Sequence, residues 1–114
     1  MPIIDEVAFA RLVCNGKVYR NTCLVTQAGV NAQWWRKDGM AFSPEDFKDV
    51  LADPPKVVIL GKGMMNNLTI PDATLATFEQ AGVQVMVLPT SEAVEEYNQR
   101  VKKAESVVGA FHLM

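Results

Sequence analysis

Gly61-Lys62-Gly63 and Thr90-Ser91 are the residues of this chain whose types and spacing best suit chemistry. Each group follows a short apolar run, VVIL at 57–60 and VQVMVL at 83–88. If the two runs are neighbouring parallel strands, their carboxyl ends meet, and ligands of open α/β sheets collect beyond such ends. Thr90-Ser91 opens a helix, whose free N–H groups favour an anion. Lys62 adds a positive charge, and the two glycines let backbone come close to a ligand. The chemistry on offer is the holding of a small anion. A dinucleotide is a poor fit. The third glycine of Gly-x-Gly-x-x-Gly is replaced by Asn66, no acidic residue is placed for a ribose, and the phosphate-loop pattern is absent. The plainer alternative is that the glycines only turn the chain while Met64, Met65 and Leu68 close the core.

Trp34-Trp35-Arg36 offers recognition instead of reaction. Tryptophan and arginine are enriched at interface hot spots. Neighbouring residues of an extended segment point to opposite sides, so one tryptophan is expected in the core and the other outside. Met64 and Met65 extend the candidate interaction surface. His112 is the sole histidine. No nucleophile or base is identifiable beside it, so a hydrogen-bonding role is the simpler reading and no catalytic residue is named. No metal-ligand spacing appears, and no cofactor is implied. Glu92, Glu95 and Glu96 read as dipole partners of a helix start and as a solvated face.

The elements that must position these residues are readable in part. Asn15-Gly16 is the strongest hairpin signal, between VAFARLVC and KVYRNTCLV. In that register Cys14 faces Lys17, Cys23 faces Ala8, and Arg11 faces Arg20, a like-charge clash that needs a bulge or an intervening acid. The two thiols would lie about 20 Å apart along the ribbon at roughly 3.3 Å per residue. That is too far for a disulfide, which needs Cα atoms within about 7 Å. A short strand is expected near Trp34–Arg36. Ser43 caps a helix with Pro44 at its first position, Phe47, Val50 and Leu51 facing inward, and Asp53-Pro54-Pro55 as its stop. VVIL reads as a strand covered on both faces. DATLATFEQAG reads as a helix burying Leu75 and Phe78, ended by Gly82. Pro89 ends the next strand, and Thr90 or Ser91 caps a long helix with Val94, Tyr97, Val101 and Ala104 on one face. VVGAFHL is the last strand. The order is a β-hairpin followed by βαβαβ, an α/β single domain over 1–114 with a mixed sheet.

Composition narrows the function classes. The chain has 114 residues, 49% hydrophobic and 21% charged, with a formal net charge of −2. A length of this order suits one core. The absent basic excess argues against nucleic acid, and no apolar run is long enough for a membrane span. The N-terminal residues show no signal or transit pattern, so the expected compartment is the cytoplasm.

Several stretches resemble one known family across nearly the whole chain: GKVY, WWR, VVILGKGM with LTIP, VQVMVLPTSEAVEEYN and VGAFHLM. It is the small domain shared by the adipogenesis-associated domain-containing protein and a mitochondrial complex I assembly factor. The resemblance is to the adipogenesis-associated branch above all, through the Gly-basic-Gly-Met loop and the Thr-x-Glu-Ala-Val-x-x-Tyr-Asn run. It implies a three-layer α/β fold and no established catalysis, with the mitochondrial members acting as assembly factors. Relatives often carry His-x-Thr-Cys where this chain has His112-Leu113-Met114, so a role for that thiol does not carry over. The missing targeting segment tells against complex I assembly here.

Two functions are therefore expected. The first is a non-enzymatic binding or assembly module for a protein partner, acting through Trp34, Trp35, Arg36, Met64 and Met65, with a weak homo-oligomer left open. The alternative is a binding protein or enzyme for a small anion held by Gly61, Lys62, Gly63, Thr90 and Ser91.

Overall fold

The computed structural model describes residues 2–114. Strands β1 (Ile4–Ala8), β2 (Arg11–Cys14) and β3 (Lys17–Tyr19) form a three-stranded antiparallel sheet. Strands β4 (Cys23–Thr26), β5 (Gly29–Asn31), β6 (Val57–Gly61), β7 (Gln84–Leu88) and β8 (Val107–Phe111) form a second sheet in the order β5-β4-β8-β6-β7. Within it β8, β6 and β7 are parallel, and β4 runs antiparallel to both β5 and β8. A 3-10 turn at Pro44–Phe47 leads into α1 (Lys48–Ala52), and α2 (Asp72–Gln80) and α3 (Thr90–Lys102) bracket β7. This is the α/β domain with a mixed sheet that the pattern predicts.

Side-chain alternation along the central strands explains the layers. Val57 and Ile59 of β6 and Val107 and Phe111 of β8 face Ala93, Val94 and Tyr97 of α3 together with Ile4, Leu12 and Cys14 of the small sheet. Val58, Leu60, Val108 and Ala110 face the other way, onto Phe42, Phe47, Val50, Leu68 and Phe78. Five consecutive residues of β6 and of β8 are therefore buried, as central strands covered on both faces must be.

The hairpin keeps its turn but not its length. Cys14 pairs with Lys17 as expected, yet Ala10 takes a left-handed φ of 53° and folds β1 back on β2. The segment after Tyr19 leaves for the other sheet, where Cys23 pairs with Phe111 instead of Ala8. Both thiols are free and sit in one core cluster, so the distance argument from a single long ribbon does not hold. Burial, then the neighbouring Cys14, pushes Cys23 up to about 12, which keeps it an inert thiol. Arg11 meets an acid after all, Glu6, at 3.6 Å.

Three further expectations change. The strand near Trp34–Arg36 does not form, because Asp46 holds this segment as a loop; its Oδ1 accepts the Lys37 N–H at 2.9 Å and its Oδ2 that of Ser43 at 2.8 Å. The strand in this region is β5 instead. Thr90 is the first residue of α3 and not its cap, since Pro89 occupies that place. Ala104 lies past the end of α3, exposed and at φ 58°, so the inward stripe of that helix is Ala93, Val94, Tyr97 and Val101.

Candidate functional site

The carboxyl ends of β6 and β7 do converge. Leu88 accepts the Lys62 N–H at 2.9 Å, and Gly63 and Thr90 exchange two bonds. The Thr90 hydroxyl accepts from the Gly63 N–H at 2.7 Å and donates to the His112 carbonyl at 2.6 Å. The Thr90 N–H donates to the Gly63 carbonyl at 3.1 Å. Thr90 is fully buried. A Cβ on Gly61 would come within 2.8 Å of the Thr90 Oγ1, which is why this position is glycine. The turn and the helix start thus touch each other directly. Lys62 is half-buried and Ser91 exposed, so an anion reaching both would lie on the solvent side of that contact.

Gly63 has its other side against the residues that follow β8. Its φ is 108°, and a Cβ there would lie 2.6 Å from the Met114 carbonyl and 2.9 Å from the His112 Cδ2. His112 is buried, and its Nδ1 lies 3.0 Å from the Thr22 Oγ1. Burial lowers its pKa, and the nearby Arg36 charge lowers it further, so the ring is neutral at neutral pH. This His112–Thr22 contact was invisible in the sequence, where the two residues are 90 positions apart.

The tryptophans divide as expected. Trp34 is half-buried among Phe42 and Phe47, with ring centroids at 5.5 and 5.4 Å, and its indole N–H donates to the Asp46 carbonyl. Trp35 is 72% exposed. Arg36 lies over the Trp34 ring at 6.0 Å and donates from Nη1 to the Gly39 carbonyl, while its Nε is buried without a partner. Met65 is 69% exposed and Met64 half-buried.

The loops carrying several of these residues are joined to one another by backbone hydrogen bonds. Thr69, just past the 61–68 loop, bonds to Met40 and Phe42; Met65 bonds to Met114; Ala10 bonds to Leu113. Of the seven large apolar residues exposed among those described, five lie on these linked segments: Phe9, Trp35, Met40, Met65 and Met114. Phe9, Met40 and Met114 were not singled out from the sequence, because only folding joins the segments that carry them. Two open depressions of about 500 and 540 Å³ lie elsewhere, one beside Asp49, Asp53 and Ser106, the other beside Lys17, Tyr19 and Arg20. Neither is lined by any of these five residues. Among the described residues no cluster of His, Cys, Asp or Glu could hold a metal ion.

Residues 4–112 match a family described as a protein of unknown function (DUF498/DUF598). The chain belongs to this family. Solved structures agree on the fold. An outer membrane protein from Bartonella henselae superposes with a TM-score of 0.84 at 18% identity, covering 98% of this chain and 94% of that one. The protein MT938 gives 0.80 at 19% identity, over 100% and 99% of the two chains. A Mth938-like domain from Bordetella pertussis gives 0.69 at 16% identity, over 98% and 85%. At these identities the likeness concerns the fold alone. Among the described residues of this DUF498 chain, no helix is long and apolar enough to cross a membrane.

Proposed function

We propose that this DUF498 domain is a non-catalytic binding or assembly module that docks a protein partner, in the cytoplasm, through the apolar rim around the 61–68 loop. The observation that carries the reading is the gathering of Phe9, Trp35, Met40, Met65 and Met114 on loops joined by hydrogen bonds. Exposed apolar side chains scattered singly need no explanation, but grouped ones mark interaction sites. Methionine adapts to varied partner shapes, and an exposed tryptophan beside an arginine is a typical hot spot. The resemblance to the adipogenesis-associated and complex I assembly-factor domains supports the same reading. The test compares wild type with the Trp35→Ala, Met65→Ala double variant in affinity purification from the native cell. A partner retained by the wild type and lost by an equally folded variant supports the proposal. Equal recovery by both removes it.

A second reading has one observation in its favour: Lys62 is half-buried and has no ion-pair partner among the described residues. It would hold a small anion with Gly61, Gly63 and the helix start at Thr90-Ser91. Thermal-shift measurements with phosphate, nucleotides and carboxylates test it; a stabilisation abolished by Lys62→Ala supports it, and no shift removes it.

A further inference from the structure

The edge of a sheet is where one chain can pair with another, and folded proteins blunt such edges. Of the four edges of the two sheets among the described residues, three are blunted. On β1 the register shifts between Ile4 and Glu6, and Asp5 and Glu6 carry charge. Asn98 covers its end, accepting the Ile4 N–H on Oδ1 at 2.9 Å and donating from Nδ2 to the Ile4 carbonyl at 2.8 Å. β3 has three residues and begins with Lys17; β5 has three and begins with Gly29 at φ 122°. β7 has none of these devices. Its five residues, Gln84–Leu88, include no charge, no proline and no positive φ, and they pair with β6 in unbroken register.

The hydrogen bonds of β7 fix what its outer edge offers. The Gln84 N–H donates to the Lys56 carbonyl, and the Leu88 carbonyl accepts the Lys62 N–H, each at 2.9 Å. In a parallel ladder, alternate residues turn both backbone groups toward the neighbouring strand. Gln84, Met86 and Leu88 therefore serve β6, while Val85 and Val87 turn their N–H and C=O groups outward. β7 is the last strand of its sheet, so no strand among the described residues pairs with them. The side chains alternate as well. Val85 packs on the cluster that holds Phe78, and Met86 on the one that holds Tyr97. Val87 lies on the Val85 face and is 37% exposed. Arg100, whose Nη2 lies 3.3 Å from the Met86 sulfur, is already paired with Glu96 and Glu105.

We infer that β7 is a dimerisation edge, paired antiparallel with β7 of a second copy of this chain about a two-fold axis at Met86. The sequence around that axis, Val85-Met86-Val87, reads the same in both directions. Val85 then faces Val87 of the second copy. Both turn their backbone groups outward, so each such pair exchanges both of its hydrogen bonds. Met86 faces its own counterpart in the pair that makes no hydrogen bond, as it must, because its backbone groups are spent on β6. The palindrome and the hydrogen-bond phase select the same register, and a slip by one residue would set outward groups against inward ones. The valine pairs pack as cross-strand β-branched neighbours and cover Val87. An uncharged edge meets its own copy without like-charge repulsion, whereas it offers nothing to an acidic or basic strand. The contact is isologous, the commonest form of homodimer, and it uses no residue of the docking rim.

The test is sedimentation equilibrium of the whole chain from micromolar to millimolar concentration, joined to disulfide trapping. The expected result is a reversible monomer–dimer equilibrium. Val87→Lys weakens it by about tenfold or more, because symmetry places the new charge twice in the interface. Trp35→Ala leaves it unchanged, which separates this contact from the docking rim. Trapping reads the register. Met86→Cys sets two thiols opposite each other with Cα atoms about 4.5 Å apart, within bridging range. Val87→Cys sets them on a diagonal, about 9 Å apart and beyond the limit of about 7 Å. Cys14 and Cys23 are buried, so the introduced thiol is the accessible one. Oxidised glutathione should link Met86→Cys chains in pairs and leave Val87→Cys chains unlinked. A wild type that stays monomeric throughout overturns the inference. So does a dimer that Val87→Lys does not weaken, a dimer lost in Trp35→Ala, or equal cross-linking of the two cysteine variants. If the Val87→Lys protein fails to fold, the wild-type equilibrium and the trapping pair decide the matter.

Discussion

The two flanks of the Gly61–Leu68 loop are built on opposite terms. Against Thr90 the loop is closed by short hydrogen bonds, with the Thr90 hydroxyl both accepting and donating and its backbone N–H also paired. Toward solvent the same loop carries Met65, exposed and apolar, and is joined at Thr69 to the segment bearing the exposed Met40. Satisfied polar groups lock a structure, whereas exposed apolar groups contribute little to folding and are free to be buried by something else. The inner flank therefore sets the shape of the loop, and the outer flank is left for binding. Substitutions should separate these roles.

The largest effect is expected at Gly63→Ala. The backbone there sits at φ 108°, and the new methyl would meet the Met114 carbonyl at 2.6 Å. Strain and overpacking together should cost about 3–4 kcal/mol in urea unfolding; a loss under about 1 kcal/mol would mean that the loop relaxes freely and the inner flank is not rigid. Thr90→Val keeps the shape but leaves the Gly63 N–H and the His112 carbonyl unpaired. The expected loss is about 2–4 kcal/mol, since each orphaned buried group costs about 1–3. A neutral result would show that the hydroxyl bonds are dispensable.

A pH effect of moderate size belongs to His112. Its pKa is lowered in the folded chain, so the unfolded chain binds more protons between the two values and stability rises with pH there. The contribution is complete above about 6.5, the ordinary histidine value, and disappears as pH falls through the folded value. Urea midpoints measured from pH 8 downward should fall more for the wild type than for His112→Gln; parallel curves would contradict it. The smallest effect on folding is expected at the rim. Trp35→Ala and Met65→Ala should each change stability by no more than about 0.5 kcal/mol, yet each should weaken partner binding by about tenfold or more. A rim substitution that destabilises the fold like Thr90→Val would erase the distinction between the flanks.

What the sequence made legible follows from where the information lies. Val57–Leu60 announced a doubly covered strand because every residue in it is apolar, and Asn15-Gly16 announced a turn because both residues accept positive φ, which they show here. Ala10 gave no such warning: it adopts φ 53° without being glycine, so the fold-back of β1 on β2 could not be foreseen. The convergence of Gly61–Gly63 with Thr90 was foreseeable from strand adjacency. That Thr90 would spend its hydroxyl on Gly63 and His112 was not, since a threonine at a helix start reads locally as a cap. Trp35 was legible through alternation. The linking of the segments that carry Phe9, Met40, Met65 and Met114 depends on loop-to-loop bonds that no local pattern encodes.

The most direct measurement is site-specific photo-crosslinking in the native cell from positions 35 and 65, with the exposed Gln99 of α3 as control. The docking account predicts one partner captured from both rim positions, the adducts mapping to a single surface of that partner, and none from position 99. Capture at equal yield from all three positions, or from no position, would contradict it.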